Sequence, residues 1–195
     1  MFTGIIEEVG AVISIQKEGG NIHFTIASAL SAGFKIDQSV AHNGCCLTVV
    51  AQNEKEHVVT AIQETLLKTN LGTWQVGSKI NIERCMQLGG RLDGHMVQGH
   101  VDCVGTCTEV LDENGSWRYT FEHPDSYVTV EKGSITVNGT SLTVVDSQKG
   151  RFAVCIIPYT YEHTNFKQIE AGTQVNLEFD IIGKYVARYL GLQQA

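Results

Sequence analysis

SVAHNGCCLTVV, residues 39–50, returns 95 residues later as SITVNGTSLTVV, residues 134–145. Each stretch runs serine, an apolar residue, two variable residues, Asn-Gly, two small residues, then Leu-Thr-Val-Val. Asn-Gly between β-rich runs is a strong hairpin signal. Sliding the chain against itself by the same offset extends the match. Gly4 falls on Gly99, Ile6 on Val101, Val9-Gly10 on Val104-Gly105, and Thr65 on Thr160. Thr69-Asn70 falls on Thr164-Asn165, and Asn81-Ile82-Glu83 on Asn176-Leu177-Glu178. A register held without a gap from residue 4 to residue 83 marks a tandem duplication. The period is too long for a solenoid, so each unit is expected to be a domain, 1–90 and 96–183. The Gly-containing stretch Gln87–Gly94 joins them.

Within a unit the pattern is of strands. GIIEEVGAVISIQ and NIHFTIA are separated by Gly19-Gly20, and CCLTVVAQ, HVVTAIQ and SKINIER follow the Asn-Gly turn. Val, Ile and Thr favour strands. Five or six short strands in one unit predict a small closed barrel, which removes sheet edges. Gln63 to Leu71 reads as a short helix. Tyr185, Val186, Tyr189 and Leu190 form an apolar helical stripe in the second unit alone. Such a helix serves either assembly or packing on its own barrel.

Composition narrows the classes of function. A net charge of −7 over 195 residues gives no electrostatic reason to expect nucleic acid. The N-terminus lacks the basic and apolar regions of a signal peptide. No apolar run approaches the roughly 20 residues that cross a bilayer. The six cysteines include the adjacent Cys45 and Cys46, and without a secretion signal they are expected as reduced thiols. His95 and His100 are a poor fit to common metal spacings, and Cys103 and Cys107 have no second pair at zinc spacing, so no metal is expected.

Chemistry is expected where the two repeats carry polar groups. Cys46 and Ser141 share a position, which fits a polar contact better than packing; a small buried core thiol is the plain alternative. On a strand, residues 46 and 48 share a face, as do 141 and 143. Cys46 with Thr48, and Ser141 with Thr143, thus present paired hydrogen-bonding groups, with Leu47 and Val49 on the other side. Ser39 and Ser134 open the same segments. His100 stands where the first unit has Ile5, and an imidazole can move protons near neutral pH. Glu64-Thr65 and Tyr159-Thr160 close the fifth strands and could hold a polyol. Lys132 could meet an acidic or carbonyl group. Asp180, after the last strand, reads as a helix cap.

MFTGII (1–6), AHNGCCLTV (41–49), ETL (64–66), TNLG (69–72), GHMVQGHV (94–101) and NGTSLT (138–143) together resemble the riboflavin synthase family of the α-subunit type. The likeness spans nearly the whole chain. It implies an all-β fold of two tandem homologous six-stranded antiparallel β-barrels, both lumazine-binding, with a C-terminal trimerisation helix over 184–195. It implies a cytoplasmic transferase that needs no cofactor. Two molecules of 6,7-dimethyl-8-ribityllumazine would give riboflavin and a ribitylaminouracil by four-carbon transfer. The assembly implied is a homotrimer in which the N-barrel of one subunit faces the C-barrel of the next, with a lumazine synthase as a further partner. Two copies of one molecule, donor and acceptor, explain two related sites.

The resemblance carries the family's binding positions to Gly4, Ile5, Ile6, Cys46, Leu47, Thr48, Thr60, Ala61, Ile62, Gln63, Glu64 and Thr65. In the second unit it carries them to Gly99, His100, Val101, Lys132, Ser141, Leu142, Thr143, Ile156, Ile157, Pro158, Tyr159, Thr160 and Tyr161. Phe2, Ser39 and Asp180 also match residues near the site. His100 is expected to move protons, and Cys46, Ser141 and Thr143 to position or polarise the rings. Ser39 and Asp180 complete the catalytic set. The nucleophile that adds to the acceptor ring is either water or a side-chain hydroxyl or thiol. Fluorescent antenna proteins that bind one chromophore without turnover share the architecture and form the alternative.

Overall fold

The Asn-Gly pairs fold as the sequence dictates. In the computed structural model, which describes residues 1–191, Asn43 and Gly44 have φ of 46° and 76°, and Asn138 and Gly139 have 46° and 79°. Two successive residues in the left-handed region match the twist of two-residue hairpins. The first turn joins β3 (Ser39–His42) to β4 (Cys45–Gln52), and its repeat joins β9 (Ser134–Val137) to β10 (Thr140–Gln148).

The first repeat adds β1 (Glu8–Glu18), β2 (Asn21–Ala27), β5 (Glu56–Ala61) and β6 (Lys79–Arg84). They close in the order β1-β2-β5-β4-β3-β6. The second adds β7 (Cys103–Asp112), β8 (Trp117–Glu122), β11 (Arg151–Ile156) and β12 (Gln174–Phe179), closing as β7-β8-β11-β10-β9-β12. The two orders are the same order. Even the bulges recur: the register shifts between Val12 and Ser14 in β1 and between Cys107 and Glu109 in β7. Bulges bend a strand where a small barrel turns its corner.

Alternate residues fill each barrel. Phe24, Ile26, Val40, Val49, Val59 and Ile82 are buried in the first, and Tyr119, Phe121, Ile135, Val144, Val154 and Leu177 in the second. Each such side chain contributes about 1.5–3 kcal/mol. One pair of core positions is polar in the first barrel and apolar in the second. His42 and His57 are fully buried, their Nε2 atoms 2.8 Å apart, where the second barrel has Val137 and Phe152. His57 Nδ1 lies 2.8 Å from Ser31 Oγ and His42 Nδ1 lies 3.1 Å from the Val40 carbonyl. Burial pushes the two imidazoles down to about 3 and about 4, so both are neutral at pH 7.

Six buried asparagines, three from each repeat, join the barrels. The Asn81 N–H donates to Asn43 Oδ1 at 2.8 Å, and Asn176 N–H to Asn138 Oδ1 at 2.9 Å. The Asn81 and Asn176 amides then cross to the carbonyls of Asn138 and Asn43, both at 2.9 Å. Asn165 and Asn70 donate main-chain N–H groups to Asn81 and Asn176 at 2.8 and 2.7 Å. This pairs the buried amides reciprocally, apart from Asn70 Oδ1, which has no partner among the described residues. Gly44 and Gly139 meet here so closely that a Cβ on either would fall 2.6–2.7 Å from the other's nitrogen.

Two sequence expectations shift. The helix expected to Leu71 ends sooner: α1 is Gln63–Lys68, and Thr69 is extended, its hydroxyl accepting from the Leu71 N–H of a separate 3-10 turn, Asn70–Thr73. Thr164 does the same after α2 (Pro158–His163). The C-terminal helix, α3 (Ile181–Tyr189), starts before residue 184 because Asp180 caps it, accepting from the Ile182 N–H at 2.9 Å. Residues 192–195 of the expected helix lie outside the described residues. Among those described, no helix is long and apolar enough to cross a membrane.

Candidate functional site

Strand alternation aims the repeated polar residues outward. Leu47 and Val49 point into the first barrel, while Thr48 is exposed and Cys46 half-buried. Cys46 lies opposite Ala41, and Thr48 opposite Ser39. In the second barrel Thr143 is exposed and Ser141 half-buried, opposite Ser134 and Thr136 respectively. Two matched polar faces therefore stand on the outer walls of the two barrels.

Each face is finished by the other repeat. The segment before β7 crosses to the first barrel, where the Cys46 N–H donates to the Gly99 carbonyl at 2.9 Å. The segment before β1 crosses to the second, where the Ser141 N–H donates to the Gly4 carbonyl at 2.8 Å. Phe2 and Val97, equivalent residues, pair antiparallel at the crossing. Gly4 and Gly99 have φ of 77° and 78°, and a Cβ there would stand 2.6 Å from the Ser141 Cβ and 2.7 Å from the Cys46 Cβ. Only glycine fits this approach. Val101 packs on the core of the first barrel, and exposed His100 follows Gly99 beside Cys46.

The two faces differ chemically. Burial raises the Cys46 thiol above its usual range, partly offset by a hydrogen bond with Ser39. It is a neutral thiol at pH 7, a weak hydrogen-bonding group and no ready thiolate. Its neighbour Cys45 is buried and pushed up to about 12. On the second face, Ser141 Oγ lies 2.7 Å from His95 Nδ1. Burial lowers the His95 pKa, and Asp180 pulls the other way. A neutral imidazole against a serine hydroxyl can pass a proton in either direction. Sequence reading weighed His95 only for metal spacing. By the offset it falls outside the repeat, so no comparison between units exposed it; its spacing from His100 in GHMVQGH was the available signal.

The remaining expected residues distribute around these faces. Thr60 is half-buried and 2.9 Å from His23 Nδ1. Ile62, Gln63 and Glu64 are exposed at the start of α1, and Thr65 is half-buried. Near the second face, Ile5 is exposed and Ile6 half-buried; Ile157, Pro158 and Tyr159 are exposed and Thr160 is half-buried. Tyr161 stacks on Trp117, ring centroids 3.8 Å apart. Asp180 and Ser134 border a cavity of about 190 Å³ closed by Val128–Val130 and α3. Lys132 is exposed with φ of 65°, its N–H bonded to the Val144 carbonyl. Four expected contacts turn inward instead: Phe2, Leu47, Ala61 and Ile156 are buried, 5% exposed at most. Strand alternation turns the Leu47, Ala61 and Ile156 side chains into the cores, while Phe2 packs with Ala41 and Val97 at the crossing of the two segments. Leu142, by contrast, is only half-buried.

Duplicated barrels with exchanged segments and paired outer faces define a tandem lumazine-binding protein: the family described as "Lumazine binding domain" matches residues 3–85 and 98–180. The chain belongs to the riboflavin synthase family. It is 40% identical over 193 residues to riboflavin synthase of Actinobacillus pleuropneumoniae, covering 97% of this chain and 90% of that one. It is 38% identical to that of Bacillus subtilis strain 168, with the same coverages. It is 41% identical to that of Mycobacterium bovis, covering 97% and 98%. Among solved structures, LumP complexed with riboflavin superposes at a TM-score of 0.86 and 22% identity, covering 92% of this chain and 99% of that one. LumP complexed with 6,7-dimethyl-8-(1'-D-ribityl)lumazine superposes at 0.83 and 21%, with the same coverages.

Proposed function

We infer that the chain is a transferase that dismutates 6,7-dimethyl-8-ribityllumazine. One molecule donates a four-carbon unit to a second, giving riboflavin and 5-amino-6-(D-ribitylamino)uracil, the last step of riboflavin biosynthesis. The observation that carries this is the pair of matched outer faces, one built on Cys46 and one on Ser141, each finished by the other repeat. A reaction that consumes two copies of one molecule in different roles needs two related but unequal cradles. The identity to riboflavin synthases over nearly the whole chain supports the same reading.

The chemistry asks little of a strong base. The 7-methyl group of the lumazine is acidic because its carbanion delocalises into an electron-poor ring. Holding two rings face to face supplies several kcal/mol or more of the barrier. Outward amides and the hydroxyls of Ser39, Thr48, Ser141 and Thr143 stabilise developing charge. His100 and His95 are placed to move protons beside Cys46 and Ser141. Water or a side-chain group adds to the acceptor ring. Thr60 to Thr65, and Ile156 to Tyr161 with Lys132, form the outer margins of the two cradles.

We assign residues 1–90 and 96–183 to the two lumazine-binding domains and 184–195 to assembly. The faces are open on a single chain, which supports a homotrimer in which the first barrel of one subunit closes on the second barrel of the next. Ile182, Tyr185, Val186 and Tyr189 are exposed on α3, an apolar stripe suited to that assembly. The enzyme is assigned to the cytoplasm, where lumazine synthase would supply its substrate.

Mixing the purified protein with 6,7-dimethyl-8-ribityllumazine tests the assignment. Riboflavin should form at half the molar amount of lumazine consumed. Tight binding without riboflavin would make the chain an antenna protein instead.

A further inference from the structure

Glu83 and Glu178 are the penultimate residues of the last strand of each barrel, at equivalent positions, and both are buried. Glu83 Oε1 accepts from the Thr3 N–H at 2.6 Å and the Thr3 hydroxyl at 2.7 Å, and its Oε2 from the Gly4 N–H at 3.0 Å. Glu178 Oε1 accepts from the Gln98 N–H at 2.7 Å, and its Oε2 from the Gly99 and His100 N–H groups at 2.9 Å each. Successive N–H groups around a left-handed glycine form a nest for an anion, here a carboxylate on the same repeat. The nest fixes where the glycine carbonyl points.

That carbonyl crosses the seam. Pairing between β4 and β5 begins only at Val49, and pairing between β10 and β11 only at Val144. The first residues of β4 and β10 thus have one edge unpaired within their own barrel. The Gly99 and Gly4 carbonyls fill it, accepting from Cys46 and Ser141. We propose that Glu83 and Glu178 are positioning residues acting across the seam: Glu178 sets the Cys46 site on the first barrel, and Glu83 sets the Ser141 site on the second. This rests on reading the two faces as substrate sites, yet its main readouts need no turnover.

Alkylation of Cys46 by iodoacetamide, followed by peptide mass mapping, reads the geometry. Because burial and also the Glu178 charge hold the Cys46 thiol up, the quantity compared is the pH-independent rate constant of the thiolate, taken from a pH profile. Glu178→Gln should raise it about 5-fold by removing acceptor oxygen from the nest. Glu83→Gln, only two strands from Cys46 in its own barrel, should raise it less than about 2-fold. A folded Glu178→Gln protein with unchanged Cys46 reactivity, or a larger effect from Glu83→Gln, overturns the proposal. A second measurement needs no variant. In the native protein, the Cys46 amide should exchange with deuterium at the rate of the Gln98, Gly99 and His100 amides. Exchange of Cys46 with the rest of β4 while residues 98–100 open faster would count against it. In steady-state assays Glu178→Gln should lower kcat about 10-fold or more while KM changes less. If the native chain makes no riboflavin but the thiol and exchange results hold, the catalytic assignment fails and the cross-seam geometry stands.

Discussion

Cys45 and Cys46 are neighbours with opposite fates, and the pleat decides between them. Cys45 is buried in the first core, so Cys45→Ala should cost about 1 kcal/mol of stability. Its turnover should stay near wild type. Cys46 stands on the outer face, so Cys46→Ala should slow riboflavin formation about 10-fold or more with a smaller change in urea midpoint. Equal turnover of the two variants would remove Cys46 from the site. His100 is exposed and its main chain, not its ring, is held by Glu178. His100→Ala should therefore keep the urea midpoint and lower kcat on the order of 100-fold. An unfolded His100→Ala protein would mark the ring as structural. Sequence alternation alone made the outward face of Cys46, Thr48, Ser141 and Thr143 legible. It could not reveal the His95–Ser141 contact, because 46 residues separate the partners and no local period links them.

At the scale of elements, the hairpin turns, the strands and the repeat were readable because each rests on short-range rules. The inward His42–His57 pair was not, since its imidazoles meet only when β3 and β5 enter one barrel. It also makes the first barrel acid-sensitive. In the unfolded chain these imidazoles titrate near 6.5, and in the folded barrel at about 3 and about 4. As pH falls from 7 the unfolded state takes up protons first, so stability is lost from about pH 6.5 down towards about pH 4. Between pH 7 and pH 5 this amounts to about 2 kcal/mol for each histidine. The groups facing the pair do not reverse the sign: Glu8 attracts a charged His57 but is outweighed by burial. His42→Val/His57→Phe, which copies Val137 and Phe152 of the second barrel, should flatten this limb in urea titrations at pH 7, 6 and 5. A double variant as acid-sensitive as the wild type would place the effect elsewhere.

At the scale of the molecule, two barrels of the same topology are locked by six asparagines and by the exchanged segments that precede the first strand of each repeat. This leaves both polar faces on the outside of the single chain, with Thr48 and Thr143 exposed. Assembly is then expected to be a condition of turnover. If the proposed trimer forms through α3, Tyr185→Glu/Val186→Glu should sediment as a monomer where the unmodified chain sediments as a trimer, and riboflavin formation should fall about 100-fold. The urea midpoint of the barrels should change little, since both side chains are exposed. Full activity in a monomeric variant would mean that each chain completes its own site.

The sequence by itself determined the duplication, the strand content, the Asn-Gly turns and which residues of each repeated strand point outward. Those follow from pleat geometry and turn sterics, which act over a few residues. Only the tertiary structure decided that Gly99 lies on Cys46, that Gly4 lies on Ser141, and that Glu83 and Glu178 hold them there. Such pairings join groups far apart in the chain, and their partners are chosen by barrel closure and by the packing of one repeat on the other.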